Sequence, residues 1–295
     1  MNNNWSQFIQ TTDELYQSRA LRFTYDNKDL WLSAIGVKDG MKVLEVGCAG
    51  GIFCHRIKTY MPDTTITGLD FDTGHIEYAK VKTAELALDC RFVNGDATAL
   101  PFEDNSFDLC FSHTVIEHIP AAPFLKEQFR VLKPGGRITV LSVRSRLGVN
   151  SENCFVCDTE EIRLFEKAWE KSGNYAKEHG IGAYEMDEHD FPKLLEKSGF
   201  KDVNVDFITS VYYAPDNASV SDEAALTQIN MYRIHSIASA EKAFRIVPDS
   251  LNDSEKKELL KLINARFDKR VEQYKSGEKL WDFSTSTVLA ASGRK

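Results

Sequence analysis

Short apolar runs alternate with amphipathic stretches through the first half of the chain. The apolar runs, each typical of a buried strand, cover residues 42–46, 65–69, 90–93, 107–111 and 137–143. The stretches between them that predict helices cover residues 51–60, 73–88 and 123–132. Strands that alternate with helices at this spacing predict a parallel sheet with helices on both faces and right-handed crossovers.

Helical patterns also precede and interrupt this alternation. Apolar residues in the first 25 positions recur at helical spacing, and a helix over residues 28–35 is predicted to end at Gly36, where a left-handed residue is favoured. Later segments predict a helix over 159–171, a helix over 191–200 followed by a strand over 203–208, a helix capped near Ser254, and a final strand over 286–292.

These patterns predict a core with two helical interruptions. The expected divisions are an N-terminal helical cap (1–36), a ligand-binding core (37–144), a helical insertion (145–186), a continuation of the core (187–213), a second helical insertion or lid (214–283) and a final core strand (284–295). We expect the two insertions to pack over one end of the sheet. The sequence shows no internal repeat and no low-complexity segment.

Composition narrows the class of protein. The chain has 295 residues, 42% of them hydrophobic and 27% charged, which is typical of a folded globular protein and excludes wholesale disorder. The net charge of −8 disfavours a nucleic-acid partner. No apolar run approaches the roughly 18 residues of a membrane span, and no secretory leader is recognisable, so we expect no membrane association and a cytoplasmic location.

The cysteines predict reduced thiols and no metal site. Six cysteines are spread along the chain without an export signal. Cys154 and Cys157 form a single CxxC pair, whereas a zinc site needs about four ligands and no second pair accompanies this one. The spacing His113-x-x-x-Glu117-His118 also misses the HxxEH metal pattern by one residue.

A glycine-rich turn follows the first predicted strand, in the segment VLEVGCAGGIF over residues 43–53. Small residues here let a ligand reach bare backbone, and the helix that follows presents free amide donors. A dinucleotide motif requires glycine where Ile52 stands, and Glu45 would oppose a diphosphate but suit an ammonium group. The turn therefore fits an amino-acid moiety better than a diphosphate, although a tight turn without a ligand is the alternative.

Two aspartates follow the next strands. Asp70, at the carboxyl end of the second strand, is placed to accept hydrogen bonds from both hydroxyls of a ribose. Asp96, after the third strand, can accept the amine of an adenine ring while the Ala97 amide donates to a ring nitrogen. The alternatives are a helix cap for Asp70 and a simple turn residue for Asp96. We expect Asp72 to cap the next helix.

Taken in order, VLEVGCAGG, TGLDFD, VNGDATALPFEDNSFDL, SHTVIEHI and VLKPGGRITV resemble the motifs of class I S-adenosylmethionine (SAM)-dependent methyltransferases, closest to the small-molecule branch that includes quinone-biosynthesis enzymes. The resemblance covers residues 41–143 and, weakly, 187–210 and 284–295. It implies an α/β fold, a Rossmann-like, doubly wound, mostly parallel seven-stranded sheet with helical lid insertions. It also implies SAM as cofactor and S-adenosylhomocysteine (SAH) as product.

The resemblance also assigns roles to residues of the core. It implies that Glu45 holds the amino group of the cofactor's methionine part, that Asp70 binds the ribose and that Phe71 packs on the adenine. The other implied contacts are Gly47, Ala49 and Gly51 in the turn, Asp96 and Ala97 at the adenine edge, and Ser112 and His113 near the methyl group. The family usually has glycine where Ala49 stands, and the methyl group of Ala49 is expected to narrow the turn.

Further candidates lie outside these motifs. The candidates for binding the methionine carboxylate are Tyr16, Arg19 and Arg22 on the N-terminal helix. The alternative is that these residues belong to a solvated helix face. The candidates for proton transfer are His113, Glu117 and His118. Their alternative roles are a helix cap, a contact at the rim of the cofactor or a buried, hydrogen-bonded histidine. The aromatic candidates for an acceptor pocket, against core packing, are Tyr184, His189, Tyr212, Tyr213 and Trp281.

The expected reaction is an in-line displacement that moves a methyl group from SAM to a small molecule, which needs mainly correct positioning of the two reactants. A non-catalytic SAM-binding module is the first alternative. An NAD-dependent oxidoreductase is the second, and Ile52 and Glu45 speak against it. The sequence predicts neither the acceptor nor the oligomeric state.

Overall fold

The computed structural model describes residues 5–8, 10–151, 159–170, 178 and 182–295. Its strands are β1 (Lys42–Val46), β2 (Thr65–Asp70), β3 (Arg91–Asn94), β4 (Phe107–His113), β5 (Leu132–Val143), β6 (Lys201–Tyr213) and β7 (Ser284–Arg294). They form one seven-stranded sheet in the order β3-β2-β1-β4-β5-β7-β6. The pairs β3–β2, β2–β1, β1–β4 and β4–β5 are parallel, and β7 runs antiparallel to β5. The predicted mostly parallel α/β fold is confirmed.

Helices connect these strands. The α-helices are Trp5–Phe8, Thr12–Arg22, Lys28–Ile35, Ile52–Tyr60, Thr73–Glu85, Ala121–Val131, Thr159–Trp169, Asp190–Lys197, Asp222–Ile246 and Asp253–Lys275. Short 3₁₀ turns cover Ile116–His118 and Ser145–Leu147. Gly36 ends the helix before β1 with a φ of +83°, as predicted. Among the residues that the structure describes, no helix is both long and apolar enough to cross a membrane.

The continuous apolar runs of the parallel strands are explained by burial on both faces of the sheet. On β1, Val43 packs into one apolar cluster and Leu44 into another. On β4, Phe111 joins the cluster of Val43 and Cys110 joins that of Leu44. Because successive side chains of a strand point to opposite faces, each of these strands needs apolar residues on both of its faces.

The chain forms two compact units. The first consists of residues 1–145, 181–210 and 287–295, and the second of residues 146–180 and 211–286. The helices at 12–35, predicted as an N-terminal cap, belong to the first unit. The second unit has its own apolar core, in which Ile229, Leu259 and Phe267 are buried. The CxxC pair at 154 and 157 lies outside the described residues.

The helix Asp253–Lys275 begins at Asn252, so the predicted cap at Ser254 is wrong. The Asn252 side chain accepts the Glu255 amide at 3.0 Å, and Glu255 accepts the Asn252 amide at 3.0 Å. This reciprocal pair is a capping box, in which the fourth residue must be Glu or Gln. Asn252 and Glu255 have that spacing, whereas Ser254 is two residues inside the helix.

We expect Asn252→Ala to lower the free energy of unfolding by about 1 kcal/mol, because the Glu255 amide loses its acceptor. Urea denaturation followed by circular dichroism measures this. Asn264→Ala is the matched control, since Asn264 lies in the interior of the same helix and its side chain only donates to the Leu260 carbonyl. Alanine is the better helix former there, so this control should not lose stability. Equal effects of the two changes would contradict the capping role.

Candidate active site

The glycine-rich turn between β1 and the helix Ile52–Tyr60 is built from left-handed residues. Gly47, Ala49 and Gly51 have φ values of +78°, +46° and +82°. A Cβ at Gly47 would lie 2.4 Å from Val115 Cγ2, and one at Gly51 would lie 2.6 Å from the Phe92 ring. Glycine is therefore required at both positions, by the backbone conformation and by the lack of space. The closeness of Val115 to Gly47 also places the loop after β4 directly against the turn.

Asp70 at the end of β2 holds this turn. Its Oδ2 accepts the Ala49 amide at 2.8 Å and its Oδ1 accepts the Asp72 amide at 2.9 Å. The first of these bonds stabilises the left-handed backbone at Ala49. Each carboxylate oxygen accepts more than one hydrogen bond, so both retain capacity for a ligand hydroxyl. Burial raises the pKa of Asp70.

Asp72 acts as a cap, as predicted. Its Oδ1 accepts the Gly74 amide at 2.8 Å at the start of the helix Thr73–Glu85. Its Oδ2 accepts the Ser6 amide at 2.7 Å. Asp72 therefore also fastens the N-terminal segment to the loop after β2.

The predicted adenine contacts lie on exposed loops at the same edge of the sheet. Phe71 is 48% exposed, and Asp96 is exposed as well. Asp96 Oδ1 accepts the Thr98 amide and hydroxyl, both at 2.7 Å, while Ala97 is half-buried beside it. Asn94 links the two loops by donating to the Phe71 carbonyl at 2.7 Å.

Glu45 is a buried carboxyl near the end of β1, with 2% of its surface exposed. Burial raises its pKa to about 8, although a hydrogen bond of 3.0 Å from Cys54 Sγ and the nearby charge of Arg19 favour the ionised form. Arg19, from the helix Thr12–Arg22, has a pKa lowered to about 10 by its own burial. A buried acid and a partly buried base thus face the same space, which suits a zwitterionic ligand.

A narrow cleft lies between the turn and the helix Thr12–Arg22. Its lining residues are Leu15, Tyr16, Arg19, Glu45, Gly47, Cys48, Ala49, Gly50, Ile52, Phe53 and His113. The structure therefore brings together Glu45, the turn, Tyr16 and His113 from the predicted set. Arg19 lines the cleft, whereas Arg22 donates to the Ser18 carbonyl within its own helix.

Two neighbouring residues of β4 face opposite sides of the sheet. His113 is buried, with its ring 5.3 Å from Phe23 and 5.4 Å from Phe53. Burial and the charge of Arg19 hold the pKa of His113 well below its usual range, so the imidazole is neutral. Because His113 faces the cleft, the side chain of Ser112 points to the other face. The Ser112 hydroxyl is buried and has no partner among the described residues.

The 3₁₀ turn after β4 carries the other two proton-transfer candidates. Glu117 accepts the Ser142 hydroxyl with Oε1, and burial raises its pKa. His118 accepts the Gly182 amide with Nδ1 at 2.9 Å and packs 4.8 Å from the Trp5 ring. Burial lowers the pKa of His118 to about 4.

The predicted acceptor residues are divided between the two units. In the first unit, Tyr184 is exposed and donates its amide to the Glu117 carbonyl at 2.9 Å. His189 is also exposed and lies 3.3 Å from an Asp190 oxygen.

The other three acceptor candidates belong to the second unit. Tyr213 is only 2% exposed and donates to Asp282 at 2.8 Å. Tyr212 accepts from the hydroxyl of Tyr232 at 2.8 Å, and Trp281 is exposed. Tyr213 thus forms part of the core of this unit.

Sequence reasoning did not identify Cys54, Ser142 and Arg144. Ser142 lies near the end of β5 and Arg144 directly follows that strand, at the same edge as Glu45, Asp70 and Asp96. The rule that selected those acids, a polar residue at the carboxyl end of a parallel strand, would also have selected this pair. Cys54 carried no comparable signal, because nothing in the sequence showed which helix face meets β1.

Comparison with known proteins shows what the segment from β1 to β5 is similar to. A family model described as a methyltransferase domain matches residues 44–140, from β1 to the middle of β5. Residues 44–140 form a class I methyltransferase domain. The predicted class of domain is therefore confirmed, and the turn, Asp70, Asp96 and Glu117 all lie within it.

Curated relatives support the methyltransferase domain. Demethylmenaquinone methyltransferase of Staphylococcus aureus strain MRSA252 is 36% identical over 124 residues, which cover 40% of this chain and 51% of the relative. The chain thus spans about half the length of the curated relatives it matches.

Solved structures share the fold. Phosphoethanolamine N-methyltransferase 2 of Haemonchus contortus, determined with SAH, has a TM-score of 0.55 at 16% identity and covers 99% of this chain and 60% of its own. The YcgJ protein of Bacillus subtilis has a TM-score of 0.50 at 15% identity, covering 92% of this chain and 99% of its own. At these identities the likeness concerns the fold.

Proposed function

We propose that the chain is a SAM-dependent methyltransferase that methylates a small molecule by in-line displacement. The observation that carries the proposal is the arrangement of Glu45, Asp70 and Asp96 at the carboxyl edge of three adjacent parallel strands of the methyltransferase domain. The edge lies where the strand order reverses between β1 and β4, which is the usual ligand crevice of such sheets.

The residues fit the cofactor part by part. Glu45 and Arg19 both line the cleft, and once Glu45 is ionised they match the ammonium and carboxylate of a methionine moiety. Asp70 retains acceptor capacity for ribose hydroxyls, and Phe71 offers an exposed ring for the adenine. SAM, when bound, supplies a methyl group on a positively charged sulfur. The protein's own contribution is to hold both reactants in line and to exclude water.

The acceptor is proposed only as a small molecule. The name of the curated relatives points to a quinone-type acceptor for those proteins.

Isothermal titration of the purified protein with SAM and SAH tests the proposal. We expect one molecule of each to bind with a micromolar dissociation constant. NADH should neither bind nor raise the melting temperature, because Glu45 opposes a diphosphate and Ile52 replaces the required glycine. Stabilisation by NADH and not by SAH would overturn the assignment and favour an oxidoreductase.

Methyl transfer itself separates an enzyme from a cofactor-binding module. Protein incubated with radiolabelled SAM and an extract of small metabolites should transfer label to a product of low mass. Binding of SAM without any labelled product would favour the alternative of a non-catalytic SAM-binding module.

A further inference from the structure

Arg144 occupies a buried position directly after β5, with 11% of its side chain exposed. One guanidinium nitrogen donates to Ser142 Oγ at 2.5 Å and the other donates to the Met186 carbonyl at 3.0 Å. The guanidinium also stacks on the Phe191 ring at 4.6 Å. Arg144 therefore connects the end of β5 to the segment before the helix Asp190–Lys197.

Glu117 is attached to this arginine through Ser142. The Ser142 hydroxyl donates to Glu117 Oε1, and Arg144 Nη2 lies 3.7 Å from the same oxygen. The other oxygen, Oε2, is buried and has no hydrogen-bond partner among the described residues. A buried carboxylate oxygen without a donor is costly, so the position of Oε2 fits a hydrogen-bond donor supplied by a ligand.

The segment 182–188 is held over this carboxylate by backbone contacts. The Gly182 amide donates to His118 Nδ1, and the Tyr184 amide donates to the Glu117 carbonyl. Arg144 adds its bond to Met186 and lies 3.8 Å from Glu188. The wall beside Glu117 is therefore fixed at several points rather than left as a free loop.

His118 is poorly placed to take a proton from an acceptor. Its Nδ1 accepts an amide proton, so the proton of the neutral ring is on Nε2, which is then a donor. His113 is neutral and lines the cofactor cleft, and its Nε2 also has no partner among the described residues. Glu117 is the member of the predicted group whose carboxylate is held by Ser142 and Arg144, and it lies two residues after Val115, which packs against Gly47 of the cofactor turn.

We propose that Glu117 Oε2 receives the hydroxyl or ammonium group of the methyl acceptor, and that Ser142 and Arg144 are positioning residues that aim this oxygen. This inference rests on the proposed methyltransferase function and identifies the acceptor as a protic molecule. A hydroxyl acceptor would pass its proton to Glu117 as its oxygen forms the bond to the methyl carbon. An ammonium acceptor would first give a proton to Glu117, so that the amine nitrogen has a lone pair for this bond. In both cases the carbon–sulfur bond would break with its electron pair moving to sulfur.

The test uses two simple probes, phenol for hydroxyl acceptors and methylammonium for amine acceptors. Ligand-observed NMR measures their binding to the full protein saturated with SAH. We expect one probe to bind the natural protein and Glu117→Gln to weaken its binding at least tenfold. The glutamine amide can still accept from Ser142, but it places a donor where Oε2 was an acceptor.

Variants of Arg144 separate positioning from general structural support. Arg144→Gln should weaken the bound probe by a similar factor, while Arg144→Lys should recover part of the affinity because it keeps the charge but not the forked geometry. SAH affinity should stay close to that of the natural protein. Glu127→Gln and Arg130→Gln are the matched controls, since this ion pair of the same unit lies on the helix Ala121–Val131.

The outcomes distinguish the two proposals. Equal probe binding by the natural protein and Glu117→Gln would overturn the acceptor assignment, as would the binding of neither probe to the SAH complex. Loss of affinity in both Arg144 variants together with lower SAH affinity would reduce Arg144 to a structural residue. Failure of the natural protein to bind SAH would instead refute the methyltransferase function.

Discussion

Asp70→Asn is expected to weaken SAH binding by about 100-fold. A hydrogen bond to a charged group contributes about 1.5–3 kcal/mol, and we expect the carboxylate to accept two from the ribose. The same change disturbs the turn, because an asparagine has one acceptor oxygen for the Ala49 and Asp72 amides that now bind separate oxygens. Isothermal titration with SAH measures the loss.

Asp108→Asn is the control for this substitution. Asp108 also accepts a backbone amide, from Lys42 at 2.8 Å, and it pairs with Lys133 at 2.7 Å. It lies near the start of β4, at the opposite edge of the sheet. We expect this variant to lose some stability while its SAH affinity stays unchanged. Unchanged affinity in Asp70→Asn would remove the ribose assignment.

SAH binding is expected to strengthen by about 20-fold between pH 6 and about pH 8 and to weaken again above it. Glu45 has a pKa of about 8, so its carboxyl is protonated at pH 6 and cannot pair with an ammonium group. Binding below pH 8 therefore requires Glu45 to lose a proton. Above pH 8 the amino group of SAH loses its own proton, which accounts for the decline.

Calorimetry in buffers of different ionisation enthalpy measures this directly. At pH 6 we expect about one proton to be released for each SAH bound. Glu45→Gln should bind weakly and release none. Full proton release by the glutamine variant would show that another group titrates, and a flat affinity profile in the natural protein would contradict the ion pair.

The part of the fold that sequence could predict is the part governed by local pattern. β1 was predicted at its observed bounds, Lys42–Val46, because a strand buried on both faces is a continuous apolar run. β6 runs from Lys201 to Tyr213, well beyond the predicted 203–208. It is one of the two edge strands, and exposed residues such as Phe207 and Val211 obscure its apolar pattern.

The candidate site also has a part that the sequence could predict and a part that it could not. Glu45, Asp70 and Asp96 were identifiable because each follows a recognisable strand, and strand ends converge on one edge. The contacts of Glu117 with Ser142 and of Arg144 with Met186 join residues 25 and 42 positions apart. Such pairs depend on how the strands are ordered and on side-chain direction, which periodicity does not encode.

The place of β7 in the sheet has a consequence for how the protein reaches its native state. β7 lies between β5 and β6, although it follows both in the chain. β6 is an edge strand whose neighbour in the sheet is β7, so it cannot dock until residues 284–294 arrive. Pairing of such distant segments is slow because the intervening chain must first be ordered. Until that step, the side of β5 that β7 will cover and the whole of β6 are open to pairing with other molecules, which makes late folding the stage most exposed to aggregation.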